Sequence, residues 1–221
     1  MEVCHFSPDS SISKSQPELL ASARQAQVQG RDVPIGMVLE SGVGAPKAMN
    51  DGIVMNSSRD LRMSSGRRFM YWALAKNGDF YSLMSLSEDS VESSRDAIWL
   101  EECIVRAAET LIHCANLYKA LGLQPNAHIE IAVRYGGVSG RMLRPAPGSL
   151  RFLPLLSGAT AVEDEVPIPP VALRLGDLDA QMIGLVKKLC EPLFVLFDFA
   201  SFKDEIYEMI LYDFLPFVQR G

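Results

Sequence analysis

The chain is predicted to be an α+β protein: a mainly antiparallel sheet of five to seven strands packed by one long central helix and two C-terminal helices. Three observations predict it. Asn77-Gly78 lies between two apolar runs, and that dipeptide is the strongest short hairpin signal. Residues 96–121 repeat apolar side chains at helical spacing, and residues 128–135 alternate strictly between apolar and polar or small ones. With 221 residues, 48% of them hydrophobic and 22% charged, the chain can bury a core without disulfide or metal staples. That composition excludes a largely disordered or coiled-coil chain.

The elements follow in order. Residues 1–30 are polar and rich in Ser and Gln, with one short helix at 17–27 whose first turn suits Pro17. They read as an N-terminal extension or connector, leaving 31–221 as a single α+β domain. Residues 33–39 read as a short strand whose Pro34 marks an edge or a strand start. A second short strand follows at 51–55. In the hairpin over 68–86, a two-residue turn at Asn77-Gly78 pairs Lys76 with Asp79, Leu74 with Tyr81 and Trp72 with Leu83. Both of its faces are apolar, so it is expected to be central and covered on both sides.

The long helix carries its stripe on Leu100, Cys103, Ile104, Ala107, Leu111, Cys114, Ala115 and Tyr118. Gly122 ends it and Pro125 blocks its resumption. In the next strand Ile129, Ile131, Val133 and Tyr135 face one way; His128, Glu130, Ala132 and Arg134 face the other. Gly136, Gly137 and Gly140 read as a hairpin loop that returns the chain through residues 141–144. An irregular stretch covers 150–156, and 166–173 reads as an edge strand protected by its prolines. In the first C-terminal helix the buried stripe runs from Leu178 through Met182, Leu185, Val186 and Leu189 to Leu193, Leu196 and Phe197, with a kink expected at Pro192. A capping box from Ser201 to Asp204 starts the last helix, with Ile206, Met209, Ile210 and Phe214 inward.

The net charge of -6 and the pI of about 5.1 exclude a protein that holds nucleic acid by bulk charge. Residues 1–16 carry neither a basic leader nor an apolar run, which predicts no signal peptide. The apolar stretch 189–202 is interrupted by Glu191, Pro192 and Asp198 and is too short to span a bilayer. Among Cys4, Cys103, Cys114 and Cys190 no CxxC pair occurs, so neither a zinc ribbon nor a thioredoxin motif is available. The expectation is a reduced, cytoplasmic protein with no membrane contact, no metal and no cofactor.

Catalytic motifs are missing: there is no GxSxG, HExxH, Walker loop or strand-associated GxGxxG. Ser11 and Lys14 spell SxxK within the polar segment, which reads as coincidence. His128 and Glu130 share a strand face with Cα atoms about 7 Å apart. Their H-x-E pattern opens the zinc deaminase signature, whose PCxxC ligand pair is absent. The bland reading, a solvated strand face, outweighs an acid–base or metal role for the pair.

Two basic stretches stand out. Arg59, Arg62, Arg67, Arg68 and Lys76 against Asp60 give +4, and Arg134, Arg141, Arg144 and Arg151 give another +4. If they adjoin, they form an arginine-rich sheet face for phosphate or nucleic acid, with Tyr135 available for stacking. The alternative is a charged surface balanced by acids elsewhere, and that is the stronger expectation. Six of the ten phenylalanines fall between Phe194 and Phe217, joined by Tyr207 and Tyr212. They read first as helix–helix core packing. The functional alternative is an interface through Phe199, Phe202, Tyr207, Tyr212 and Phe217.

Read together, several segments carry a family pattern. They are Pro34-Ile35-Gly36, Asp51-Gly52-Ile53, Tyr71-Trp72-Ala73-Leu74 with Asn77-Gly78-Asp79-Phe80-Tyr81, and Ser85-Leu86-Ser87-Glu88-Asp89. Cys114, Leu117-Tyr118, Leu121-Gly122, Gly137 and Gly140-Arg141 continue it, and Pro192-Leu193-Phe194-Val195-Leu196-Phe197-Asp198-Phe199 and Tyr207-Glu208 close it. Over about residues 31–215 the chain resembles the C-terminal region of bacterial Schlafen-like proteins with an AlbA-type DNA-binding domain, often labelled ATP-binding. In that family the nucleic-acid or nucleotide site belongs to the preceding AlbA-type domain, which has no room here, so no functional residue carries over. The resemblance implies a non-enzymatic accessory module for sensing, oligomerisation or docking in a DNA-associated regulatory or defence protein. Its partners would be a second copy or a separate AlbA-like domain, with nucleic acid contacted indirectly. Direct nucleic-acid or phosphate binding through the arginines is the alternative, and an enzyme using His128 and Glu130 the third reading.

Overall fold

A computed structural model describes residues 1–9, 11–28, 33–42, 44–57, 61–63, 66–148, 158–199 and 201–214, with the backbone alone at 61–63, 66–67 and 214. The strands are β1 (Glu2–Phe6), β2 (Lys47–Met49), β3 (Gly52–Asn56), β4 (Leu61–Met63), β5 (Gly66–Arg68), β6 (Met70–Ala75), β7 (Phe80–Met84), β8 (Ala97–Trp99), β9 (His128–Gly136), β10 (Met142–Arg144) and β11 (Glu165–Arg174). The helices are α1 (Gln16–Ala26), α2 (Leu100–Ala120), α3 (Leu178–Val195) and α4 (Asp204–Phe214). Seven strands form one sheet in the order β11-β9-β1-β7-β6-β3-β2, and every pairing in it is antiparallel. β4 with β5, and β8 with β10, make two small ribbons.

The α+β architecture, the long central helix and the two C-terminal helices are those the sequence predicts. The first thirty residues are not a connector. β1 lies third in the sheet between β9 and β7, pairing Val3 with Val133 and Ser82, and α1 packs on α2. One hydrophobic core runs from Met1 to Leu211. β1 is hard to read because its inward side chains are one valine and one histidine. Its place comes from partners about eighty and one hundred and thirty residues away.

Residues 33–39 form a buried loop and no strand. Side chains satisfy its backbone: Arg106 donates to Val33 O (2.6 Å), Gln27 accepts from Val38 N (2.9 Å) and Trp72 Nε1 donates to Met37 O (2.7 Å). A buried backbone group left unpaired would be costly, so these three contacts are what allow a loop here.

The β6–β7 hairpin forms one residue out of the expected register. Trp72 faces Ser82, Ala73 faces Tyr81 and Leu74 faces Phe80. Gly78 N bonds Ala75 O and Ala75 N bonds Asp79 O, so the loop holds three residues, Lys76 to Gly78, with Gly78 at φ +89°. This is a type I turn closed by a left-handed glycine, a common alternative to the two-residue turn. Because side chains alternate, the shift settles which ones meet across the strands.

Helix α2 starts at Leu100, four residues late, because Ala97–Trp99 pairs in parallel with Met142–Arg144. Its end is as expected. Gly122 takes φ +92°, Leu123 N bonds Tyr118 O and Gly122 N bonds Lys119 O, a Schellman closure. The glycines at 136, 137 and 140 are not a hairpin loop, since β9 lies between β11 and β1 and the chain leaves it to reach β8. Pro192 stands inside α3, three residues before its end. Ser201 spends its hydroxyl on Glu191 of α3 and the Phe202 carbonyl, so the expected capping box does not form with it. On α4 the fully buried positions are Tyr207, Ile210 and Leu211, while Ile206 and Met209 stay half-buried.

The helices form one layer: α1, α3 and α4 all pack on α2, and α3 also on β11. They cover one sheet face, on which Val3, Trp72, Leu74, Phe80, Ile129, Ile131, Val133 and Tyr135 are buried. The opposite face carries the half-exposed positions. The hairpin is therefore central but covered on one side among the described residues, which corrects the two-sided expectation.

Candidate functional site

Among the described side chains, the arginines do not share one face. Arg134 projects from β9 on the open sheet face, where Glu2 (2.5 Å) and Glu165 (3.2 Å) both grip its guanidinium. The Tyr81 hydroxyl donates to Glu2 at 2.8 Å, and that bond, then Arg134, holds the Glu2 carboxyl below the usual range. Arg141 pairs with Asp89 (2.6 Å) and Arg144 with Asp96 (3.0 Å), both acids preceding α2. Arg68 closes β5, which packs beside the turn at Glu88–Ser90. Arg62 and Arg67 lie on β4 and β5 with only their backbone described, and Arg59 falls outside the described residues. Tyr135 is 1% exposed and points into the core, so it is no stacking platform.

His128 and Glu130 do share the open face, near the start of β9, opposite Arg174 and Ala172 of β11. His128 is exposed and Glu130 half-buried, and the nearby Ser7 hydroxyl bonds the His128 carbonyl. Among the described residues no three His, Cys, Asp or Glu side chains converge as a metal set.

The C-terminal aromatics divide. Phe199, Phe202 and Tyr207 form a chain of ring contacts at 4.4 and 6.1 Å that ties α4 to the end of α3. Phe202 and Tyr207 are buried, and the Tyr207 hydroxyl bonds Glu191 at 3.0 Å. These two are thus core packing within the chain, the first of the two sequence readings, and not an exposed interface. Phe199 is partly buried, Tyr212 is 56% exposed and Phe217 lies outside the described residues.

Two buried polar groups escape the sequence reading. His5 on β1 stacks on Phe80 (4.7 Å), and its Nε2 meets His113 Nδ1 of α2 at 3.4 Å. Its Nδ1 meets the Tyr118 hydroxyl at 3.3 Å. Both rings are sealed from water, which lowers His113 to about 3 and His5 well below 6.5. Gly36, at φ +69°, leaves room for them: a Cβ there would stand 2.0 Å from His113 Nε2.

The second group gathers at the start of α2. Glu88, Glu101, Glu102 and Glu109 are all buried, as is Arg106, which Glu102 and Glu109 flank. Arg106 reaches Glu102 (3.0 Å), Glu109 (2.8 Å) and Val33 O together. Ser87 donates to Glu102, Trp99 N to Glu88 (3.1 Å) and Ala146 N to Glu101 (2.8 Å). Burial, with Glu102 and Asp89 adding to it, pushes the Glu88 carboxyl up to about 7. Both groups tie separate elements together: the first joins β1 to α2, and the second joins α2 to the loop at Val33.

Among the described residues the second face of the seven-stranded sheet is open. Its middle row crosses five strands without a charge: Ala132, Cys4, Tyr81, Ala73 and Val54. The next row places Leu83 between Glu2 and Tyr71. Tyr71 and Tyr81 meet edge to face at 6.0 Å. Elsewhere a groove of about 500 Å³ lies between α3 and α4, and one of about 780 Å³ between β11 and α3. No helix among the described residues is long and apolar enough to cross a membrane. Compared with family models, curated proteins and solved structures, the chain matches none.

Proposed function

We propose that this protein is a non-enzymatic assembly and docking module that pairs with a second copy of itself through the open face of its sheet. The observation that carries this reading is the uncharged middle row from Ala132 to Val54, flanked by Leu83 and Tyr71. A solvated antiparallel face ordinarily alternates polar residues outward; this one presents small and aromatic side chains, with Leu83 at 37% exposure. Seven strands at about 4.8 Å spacing and three outward rows about 6.8 Å apart span about 29 by 14 Å, about 400 Å² per partner, the size of a small and weak interface.

Charge supports the same occupant. The chain as a whole is at -6, so two copies repel at most orientations. On this face Glu2, Asp79, Glu130 and Glu165 stand against Lys47, Arg134 and Arg174, close to balance, which lets two such faces meet in an isologous pairing. The Schlafen-like resemblance supplies the setting, an accessory domain beside a nucleic-acid-binding one.

Sedimentation velocity of the chain and of Leu83→Glu tests the proposal. A concentration-dependent dimer is expected for the unaltered chain and a monomer for the variant, whose carboxylate would be stranded in the interface. An unaltered chain that stays monomeric at every concentration overturns it.

A further inference from the structure

The groove between α3 and α4 has a partner chemistry written into its walls. Its apolar lining comes from Met182 and Ile183 of α3 and from Met209 and Tyr212 of α4, over the buried Leu211. Met209 and Tyr212 stand one turn apart on one wall, as do Asp179 and Met182 on the other, with Ile183 beside them. Met side chains adapt to varied partners because they are unbranched and polarisable. The charged residues of the lining are Asp179, Glu205 and Glu208, and none is basic. α4 as a whole bears Asp204, Glu205, Glu208 and Asp213 without one lysine or arginine. Asp204 is engaged by Lys187; Glu205 and Glu208 stand exposed.

We infer that this groove is a docking site for an amphipathic helix with a basic polar face, supplied by a partner protein. An apolar cleft between two helices accepts the apolar stripe of a third, read as anchors at i, i+3, i+4 and i+7. The acidic rim then selects lysine and arginine on the flanks of that helix and raises its rate of encounter. The same groove of a second copy is a poor occupant, since α4 carries four acids and no base and like charges would face one another across the cleft. The inference rests on the reading of this protein as a docking module but uses the helical layer, away from the open sheet face.

The test uses a labelled amphipathic peptide of about 16 residues, long enough to hold a helix, with leucines on one face and lysines on the other. Fluorescence polarisation is read against a scrambled peptide and against the same peptide with glutamate for lysine. Binding of the lysine peptide alone is expected, weakened at least about tenfold in Glu205→Lys/Glu208→Lys and in Tyr212→Ala. All of these changes are at exposed positions, and thermal melts establish that each variant is folded. Equal binding of the three peptides, or no loss in the folded variants, overturns the inference. So does a chain ended after residue 214 that binds about tenfold more tightly, because the last residues would then be the occupant. The double variant is also sedimented: loss of peptide binding with dimerisation intact separates this site from the sheet face. Loss of the dimer in that variant would assign the groove to a second copy and overturn the inference.

Discussion

Replacing Glu88 by Gln isolates the carboxyl that burial perturbs most clearly. Glu88 is fully buried, accepts a bond from Trp99 N through Oε1, and has no hydrogen-bond partner for Oε2 among the described residues. Its carboxyl sits at about 7 in the fold against 4.5 for an unperturbed one. A raised carboxyl favours the folded state below pH 4.5, and that contribution is lost as pH rises through about 7. At about 1.36 kcal/mol per pH unit, the full difference is about 3 kcal/mol. Most of it, about 2–3 kcal/mol, is expressed between about pH 5 and pH 8. Gln keeps the shape and the Oε1 acceptor but cannot ionise. Urea unfolding of both proteins near pH 5 and pH 8 gives the stability of the variant relative to the original at each pH. That difference should move by about 2–3 kcal/mol in favour of Gln on going to the higher pH, whatever the constant cost of the substitution. A movement below about 0.5 kcal/mol, or one of opposite sign, would refute the argument that burial without a counter-charge sets this group.

His113 should behave in the opposite sense. Its folded value of about 3 lies below the unperturbed 6.5, so the stability it contributes is present above pH 6.5 and lost as pH falls. Urea unfolding should find His113→Gln more costly near pH 7.5 than near pH 5, by about 2 kcal/mol. Arg106→Leu removes the cation that joins Glu102 and Glu109 and strands the Val33 carbonyl; thermal and urea melts should show a loss of about 3–5 kcal/mol. A loss below about 1 kcal/mol would mean that those carboxylates are satisfied without it.

Local signals were legible where one element held all the information. The α2 stripe from Leu100 to Tyr118, its closure at Gly122, the two faces of β9 and the proline-guarded edge at β11 all depend on spacing within a few residues. β1 was not legible, because Glu2–Phe6 is too short and too polar to announce a strand. It becomes one by filling the gap between β7 and β9. The β6–β7 register failed for a related reason. Asn-Gly suits a two-residue turn, but the sheet buries Met70, Trp72 and Leu74 together with Phe80 and Met84, and the three-residue loop meets that demand.

Of the candidate surfaces, the sequence exposed the chemistry without its placement. It marked Arg134, Arg141 and Arg144 as a basic stretch, but their pairing with Glu2, Asp89 and Asp96 joins residues that spacing does not relate. The aromatic density after Phe194 was visible, whereas the split between buried Tyr207 and exposed Tyr212 depends on how α4 lies on α2.

Length, hydrophobic content and period thus determined, from the sequence by itself, an α+β chain with a long helix, a hairpin and two terminal helices. Those features follow from backbone preferences and apolar spacing, which act over a turn of helix or a pair of strand positions. The tertiary structure decided that β1 is a central strand, that His5 and His113 meet in the core, and that one sheet face stays open. Such outcomes follow from the burial of apolar area and the pairing of backbone groups far apart in the chain, which no local window contains.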